Sequence, residues 1–241
     1  MSAAARLTEV EFSTPAPGAD AEVLVGLGFV PSPGPGAAGG GDVHVLRTCT
    51  DPHGCRVVLR PGPRAAVTRL TWRPVDGDHL RRMVGVVEGR AGLEGAVVSS
   101  GWAGEDYRVV HPGGAETLLH WRQDREWVAG AALTCPLHPD GSTRLCVQDP
   151  PLVLGVDVPV PDEALERWTS WVLGVPPVGW AAPGRGQGPR LRSAPGGAAG
   201  LRVGSDRWTA VRRWTSPGGL GLEVVAGEAD LLGSLESEAF F

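Results

Sequence analysis

Residues 67–121 read as one complete strand–helix–strand–strand–strand (βαβββ) unit, and repetition of that unit limits what the chain can fold into. The unit opens on Arg69-Leu70-Thr71-Trp72-Arg73, where polar and apolar residues alternate as in a strand with two unlike faces. Leu80, Met83, Val84 and Val87 then recur at the spacing of one helix face, which predicts a helix around residues 78–88. Short strands follow at about 95–100, 107–110 and 115–121, with the last hairpin turning on His111-Pro112-Gly113-Gly114.

The same order precedes this unit. Residues 7–14 alternate, with Val10 and Phe12 on one face and Glu9, Glu11 and Ser13 on the other. Ala21, Leu24, Val25 and Gly28 mark a helix opening near Asp20, and Gly28 suits a left-handed C-terminal cap. Residues 31–41, rich in Pro and Gly, read as a loop. A hairpin of 43–49 and 55–60 then turns on Asp51-Pro52-His53-Gly54. A third, looser unit begins with a strand at 153–160 and a helix capped by Asp162 and carrying Leu165, Trp168 and Val172. It closes with a strand after Ser216-Pro217-Gly218. The expected division is therefore paired units over 1–122 (about 6–62 and 66–122), a bridging hairpin or degenerate unit over 123–150, a third unit over 151–226, and an acidic tail over 227–241.

Composition excludes several function classes. The chain contains no Lys, Ile or Asn, so all 22 basic residues are Arg, a pattern that follows GC-rich codons. Without Lys there is no Schiff-base nucleophile and no phosphate-binding Gly-Lys-Ser/Thr loop. A net charge of −5 with no basic run argues against a nucleic-acid partner. No apolar run is long enough to span a bilayer, and the first residues lack the apolar core of a signal peptide. Together these point to a cytoplasmic protein. Cys49 and Cys55 flank one hairpin turn, and Cys135 and Cys146 flank another. Either pair could oxidise, although reduced cysteines filling small apolar spaces fit the cytoplasm better.

The alternating first strand, the helix ending in Leu-Gly-Phe and the Asp-Pro-His-Gly hairpin resemble the vicinal oxygen chelate superfamily, which includes glyoxalase I, extradiol dioxygenases and bleomycin-resistance proteins. The resemblance covers the three units and implies an α+β fold in which repeated βαβββ units form paired half-barrels around a concave cavity. Metal-dependent members carry a ligand in the first strand and a Glu in the last strand of each unit. The corresponding first-strand residues here are Glu9, Arg69 and Gly155, and the last-strand residues are Val58, Leu118 and Glu223. Only Glu9 and Glu223 could ligate a metal, so the resemblance implies a dismantled metal site and no cofactor.

Strand alternation assigns Glu9, Glu11, Arg56, Arg60, Arg69, Arg73, Glu116 and His120 to the cavity wall. The arginines suit a carboxylate or other anion, or else an internal ion-pair lattice with Glu9, Glu11 and Glu116. His120 could act as a general base beside Glu116, or simply be a hydrogen-bonding wall residue. Trp102, Trp180 and Trp208 sit near loops where they could stack on a flat ligand.

The favoured expectation is a metal-free binder of a small organic molecule. The alternatives are a metal-dependent lyase, isomerase or dioxygenase of the same superfamily, and a non-catalytic interaction scaffold. A lone third unit would leave one sheet face open, to be covered by the 128–148 hairpin or by the same unit of a second chain in a homodimer. Glu9 and Arg69 are expected to form an ion pair.

Overall fold

A computed structural model describes residues 5–31, 42–47, 55–74, 76–94, 97–100, 106–111, 115–120, 151–160, 163, 190–205 and 210–226. The expected helix after Asp162, the 128–148 hairpin, Cys49, Cys135, Cys146, Trp102, Trp180 and Trp208 lie outside these residues. Among the described residues no helix is long and apolar enough to cross a membrane.

The first half comprises β1 (Arg6–Thr14), α1 (Pro17–Gly26), β2 (Val30–Pro31), β3 (His44–Arg47) and β4 (Arg56–Pro61). The second comprises β5 (Ala66–Arg73), α2 (Gly77–Glu94), β6 (Val97–Ser100), β7 (Asp106–Val110) and β8 (Glu116–His120). They join in an eight-stranded mixed sheet of order β2-β3-β4-β1-β5-β8-β7-β6, which reads alike from either edge. In each half the first strand lies at the centre with its last strand parallel beside it, and the two first strands, β1 and β5, run antiparallel.

Local chemistry fixes both helices. Pro17 starts α1, where its fixed φ and missing N–H cost nothing. This is earlier than the sequence suggested, because Asp20 is engaged elsewhere. After α1 the Phe29 amide donates to Leu24 O (3.1 Å) and the Gly28 amide to Val25 O (2.9 Å), with Gly28 at φ 101°. That is the double closure of a helix end turned by a left-handed glycine. Asp76 caps α2 by accepting the His79 amide at 2.6 Å.

Period-two alternation sets the core. Val10, Phe12, Val57, Leu59, Leu70 and Leu119 are fully buried and Trp72 nearly so, in one apolar cluster with Leu24 of α1 and Leu80 and Val87 of α2. The other face of β1, β4, β5 and β8 carries the charged residues.

The remaining strands, β9 (Leu152–Val158), β10 (Arg190–Ser193), β11 (Gly200–Ser205), β12 (Arg212–Thr215) and β13 (Gly221–Ala226), form a second sheet of order β10-β9-β11-β13-β12. Here the chain departs from the expected single unit over 151–226. β13 does not pair with β9; it lies parallel to β11, while β9 lies parallel to β10 and antiparallel to β11. The β9–β11 pair thus repeats the β1–β5 relation within one chain. Residues 200–226 continue the sheet beyond β9 through β11 and β13.

A buried contact ties the two sheets. The turn before β13 inserts Gly218 beside α1, where its amide donates to Asp20 Oδ1 at 2.8 Å. The Thr14 hydroxyl donates to Asp20 Oδ2 at 2.5 Å, and neither Thr14 nor Asp20 is exposed.

Candidate functional site

On the charged face of the eight-stranded sheet, Glu9 and Glu11 are two residues apart on β1, and both are buried. Glu9 lies opposite Arg56 on β4 and Thr71 on β5; Glu11 lies opposite Arg69 on β5. Arg56 Nη2 is 2.7 Å from Glu9 Oε2, and Arg69 Nη2 is 3.1 Å from Glu9 Oε1. The same Arg69 nitrogen is 2.8 Å from Glu11 Oε2, which also accepts Arg60 Nε at 2.7 Å. The Thr71 hydroxyl adds a bond to Glu9 Oε1 at 3.3 Å. The expected Glu9–Arg69 contact is present, but as one strut of a lattice rather than an isolated pair.

Thr68 was not legible as part of this group, since simple alternation turns it away. The β1–β5 register shifts between Glu11 and Phe12, leaving Thr68 as the extra residue of a bulge. Its hydroxyl lies 3.1 Å from Glu11 Oε1 and 3.2 Å from Glu11 O.

Glu116 lies opposite Arg69 in register, yet its carboxylate is bound by Arg108 of β7, with Arg108 Nε 3.0 Å from Oε2. That hydrogen bond holds the Glu116 carboxyl below its ordinary pKa and raises that of Arg108. Arg108 was missed because its reach across an antiparallel pair depends on the β7–β8 register, which sequence alone does not fix. Arg73 stands at the end of β5 opposite Arg6, and His120 at the end of β8 opposite Asp106.

The second sheet carries a similar lattice. Glu223 is buried and accepts Arg213 Nε and Nη2 at 3.1 and 2.6 Å, with Arg192 Nη2 3.5 Å away. Arg192 also grips Asp157 at 2.6 and 2.8 Å, and this bond raises the Arg192 pKa.

A mixed sheet with two antiparallel first strands at its centre, each flanked in parallel by its own last strand, defines the class. The chain has the vicinal oxygen chelate fold. It is similar to a catechol 2,3-dioxygenase at 13% identity and TM-score 0.62, over 94% of this chain and 89% of the other. It also resembles 2,2',3-trihydroxybiphenyl 1,2-dioxygenase from Sphingomonas wittichii (13%, TM-score 0.55, 93% and 91%). A Mn(II)-bound glyoxalase from Novosphingobium aromaticivorans is a third (14%, TM-score 0.52, 92% and 83%). No family model matches the chain, and no curated protein matches it in sequence.

The fold family implies a divalent metal, and the residues at the corresponding places do not fit one. Both Glu9 oxygens are taken by guanidinium groups, Arg69 is itself a cation, and Val58 and Leu118 carry no donor atom. In the second sheet Gly155 has no side chain, Arg202 is cationic and Glu223 is already held by arginines. Among the described residues no three His, Cys, Asp or Glu side chains converge.

Proposed function

We propose that this chain is a glyoxalase- and bleomycin-resistance-like protein that binds a small organic molecule without a metal, and that its arginines select an anion. In this reading the two halves of the eight-stranded sheet curve as paired half-barrels, and the charged face becomes the wall of a concave cavity. The observation that carries the proposal is the occupation of Glu9 by Arg56 and Arg69 at 2.7 and 3.1 Å. Fixed guanidinium donors stand where a cation would need open carboxylate oxygens. Arg56, Arg60 and Arg69 outnumber Glu9 and Glu11 in this lattice, leaving excess positive charge for a ligand anion. The chain divides, in the same proposal, into paired units over 1–122 and a second pair over 151–226, split before β11.

Elemental analysis and a thermal-shift screen of small organic acids, with and without divalent metals and chelator, test this. The expected result is a melting temperature that rises with certain acids and ignores chelator. The similarity to dioxygenases and a manganese glyoxalase favours a second reading, a metal-dependent lyase, isomerase or dioxygenase. About one transition metal per chain, lost on Glu9→Ala, would establish that reading instead. If no acid shifts the melting temperature, the lattice is a structural element of a non-catalytic scaffold and the proposal fails.

A further inference from the structure

The two sheets share a plan in which Arg69 on β5 and Arg202 on β11 hold corresponding places. Each lies antiparallel to the other first strand and parallel to its own last strand. Their surroundings differ. Arg69 has Glu11 across on β1 and Glu116 across on β8, and its Nη2 reaches Glu9 and Glu11. Arg202 has Glu223 across on β13 but Gly155 across on β9, where the first sheet offers a carboxylate. Along β11 the residues on the same face are Gly200 and Gly204, which have no side chains to meet it. Glu223 is engaged by Arg213 and Arg192. Arg202 is partly buried, and its Nε, like that of Arg69, is buried without a hydrogen-bond partner.

A buried N–H without an acceptor is unfavourable, and a carboxylate meeting the edge of the guanidinium satisfies it with paired, charge-assisted bonds. One flank of the place is apolar. The β9–β11 register shifts between Arg202 and Val203, leaving Leu154 as the extra residue on β9. Leu154 folds over Gly204, so that a β-carbon added there would lie 3.1 Å from its Cδ1. A cation is excluded by Arg202 itself, and a bare inorganic anion would leave Leu154 unused.

We infer that the five-stranded sheet carries a second, independent ligand site, in which Arg202 binds the carboxylate of a molecule whose apolar body rests against Leu154. The missing carboxylate opposite Arg202, supplied in the other sheet by Glu11, is furnished by the ligand. This site lies on a different sheet from the lattice of Glu9 and Glu11, so it stands or falls separately from the function proposed above.

Sodium benzoate serves as the probe, with benzyl alcohol as the neutral analogue and sodium chloride at matched ionic strength. Calorimetric titration of the full chain should give saturable benzoate binding and none for either control. Arg202→Gln should weaken binding at least tenfold, and Arg202→Lys, which keeps the charge but not the planar fork, should fall between. The Arg202 Nε–H resonance of the unaltered protein should move on benzoate addition, a reading that holds even if the glutamine variant fails to fold. Absence of saturable binding, unchanged affinity in a folded Arg202→Gln variant, or an unmoved Arg202 Nε–H resonance would each overturn the assignment.

Discussion

Replacing Glu9 by leucine takes a carboxylate from two guanidinium groups at once, of which Arg69 keeps Glu11 at 2.8 Å, whereas replacing Arg69 leaves each carboxylate another arginine. Arg56 and Arg69 share Glu9, at 2.7 and 3.1 Å. When Arg69 is removed, Glu9 keeps Arg56 and Glu11 keeps Arg60 at 2.7 Å. Breaking a buried pair by removing one partner costs about 3–5 kcal/mol because the other charge loses its compensation. The Arg56 and Arg69 side chains remain 26% and 22% exposed, so water relieves part of the loss. Discounting for that screening, Glu9→Leu should cost about 2–4 kcal/mol and Arg69→Leu about 1–2 kcal/mol. In the double variant the Glu9–Arg69 contact is lost once rather than twice, so the total should fall short of the sum of the two single losses by about the worth of that contact. The coupling is then about 1–2 kcal/mol, well above the few tenths expected of independent sites. Urea unfolding followed by tryptophan fluorescence, with Glu9→Gln as a control of similar shape, reads all the terms. Equal losses from the two single substitutions, or strict additivity, would refute the lattice as the source of the effect.

Other outcomes follow from the same geometry. Asp20→Ala leaves the Gly218 amide and the Thr14 hydroxyl buried without their acceptor, for a loss of about 2–5 kcal/mol by chemical denaturation, and Asp20→Asn should recover much of it. Gly218→Ala should be at least as damaging, since its β-carbon would fall inside the radii of Thr14 Oγ1 and Asp20 Oδ2. Gly28→Ala should cost about 1 kcal/mol because φ is 101° there, measured by the same unfolding experiment. The Glu116 carboxyl is held down by Arg108, so its contribution is full above the unfolded value of about 4.3 and fades as pH falls through the folded one. The stability gap between wild type and Glu116→Gln should therefore narrow on acidification below about pH 5, and salt should shrink it because Arg108 is exposed.

How far the sequence discloses this fold depends on the range of the interaction. Val10, Phe12, Leu70 and Leu119 are legible because a strand's two faces repeat every second residue, and burial of one face needs no knowledge of the partner. Gly28 is legible because a helix end that turns left selects glycine locally. Asp20 is misleading for the opposite reason. Its position suggests a helix start, yet its carboxylate serves an amide 198 residues away. Thr68 and Arg108 depend on a bulge and a register, which arise only once strands have paired. The division of 151–226 fails at the same level. A run of short Gly-rich strands does not reveal which of them is a first strand, and only the pairing of β11 with β9 does so.

The two sheets treat one chemical substitution in two ways. Each places an arginine on a central first strand, where the planar guanidinium calls for an anion to face it. In the eight-stranded sheet the charge is met by Glu9 and Glu11 from the adjoining strand. A ligand anion there must compete with two internal carboxylates for Arg69, and it would reach more readily to Arg60, whose side chain is 44% exposed. In the five-stranded sheet glycine replaces the opposing carboxylate; both arginines bury an Nε–H without an acceptor, and what distinguishes Arg69 is that its Nη2 reaches Glu9 and Glu11. In the first arrangement a ligand competes with internal carboxylates, and in the second the strand opposite offers none. Removing a carboxylate tests the difference: Glu11→Gly should loosen Arg69 and raise the first sheet's affinity for benzoate, at a measurable loss of stability. If that variant gains no affinity, the difference between the two sheets lies in something other than the carboxylate opposite the arginine.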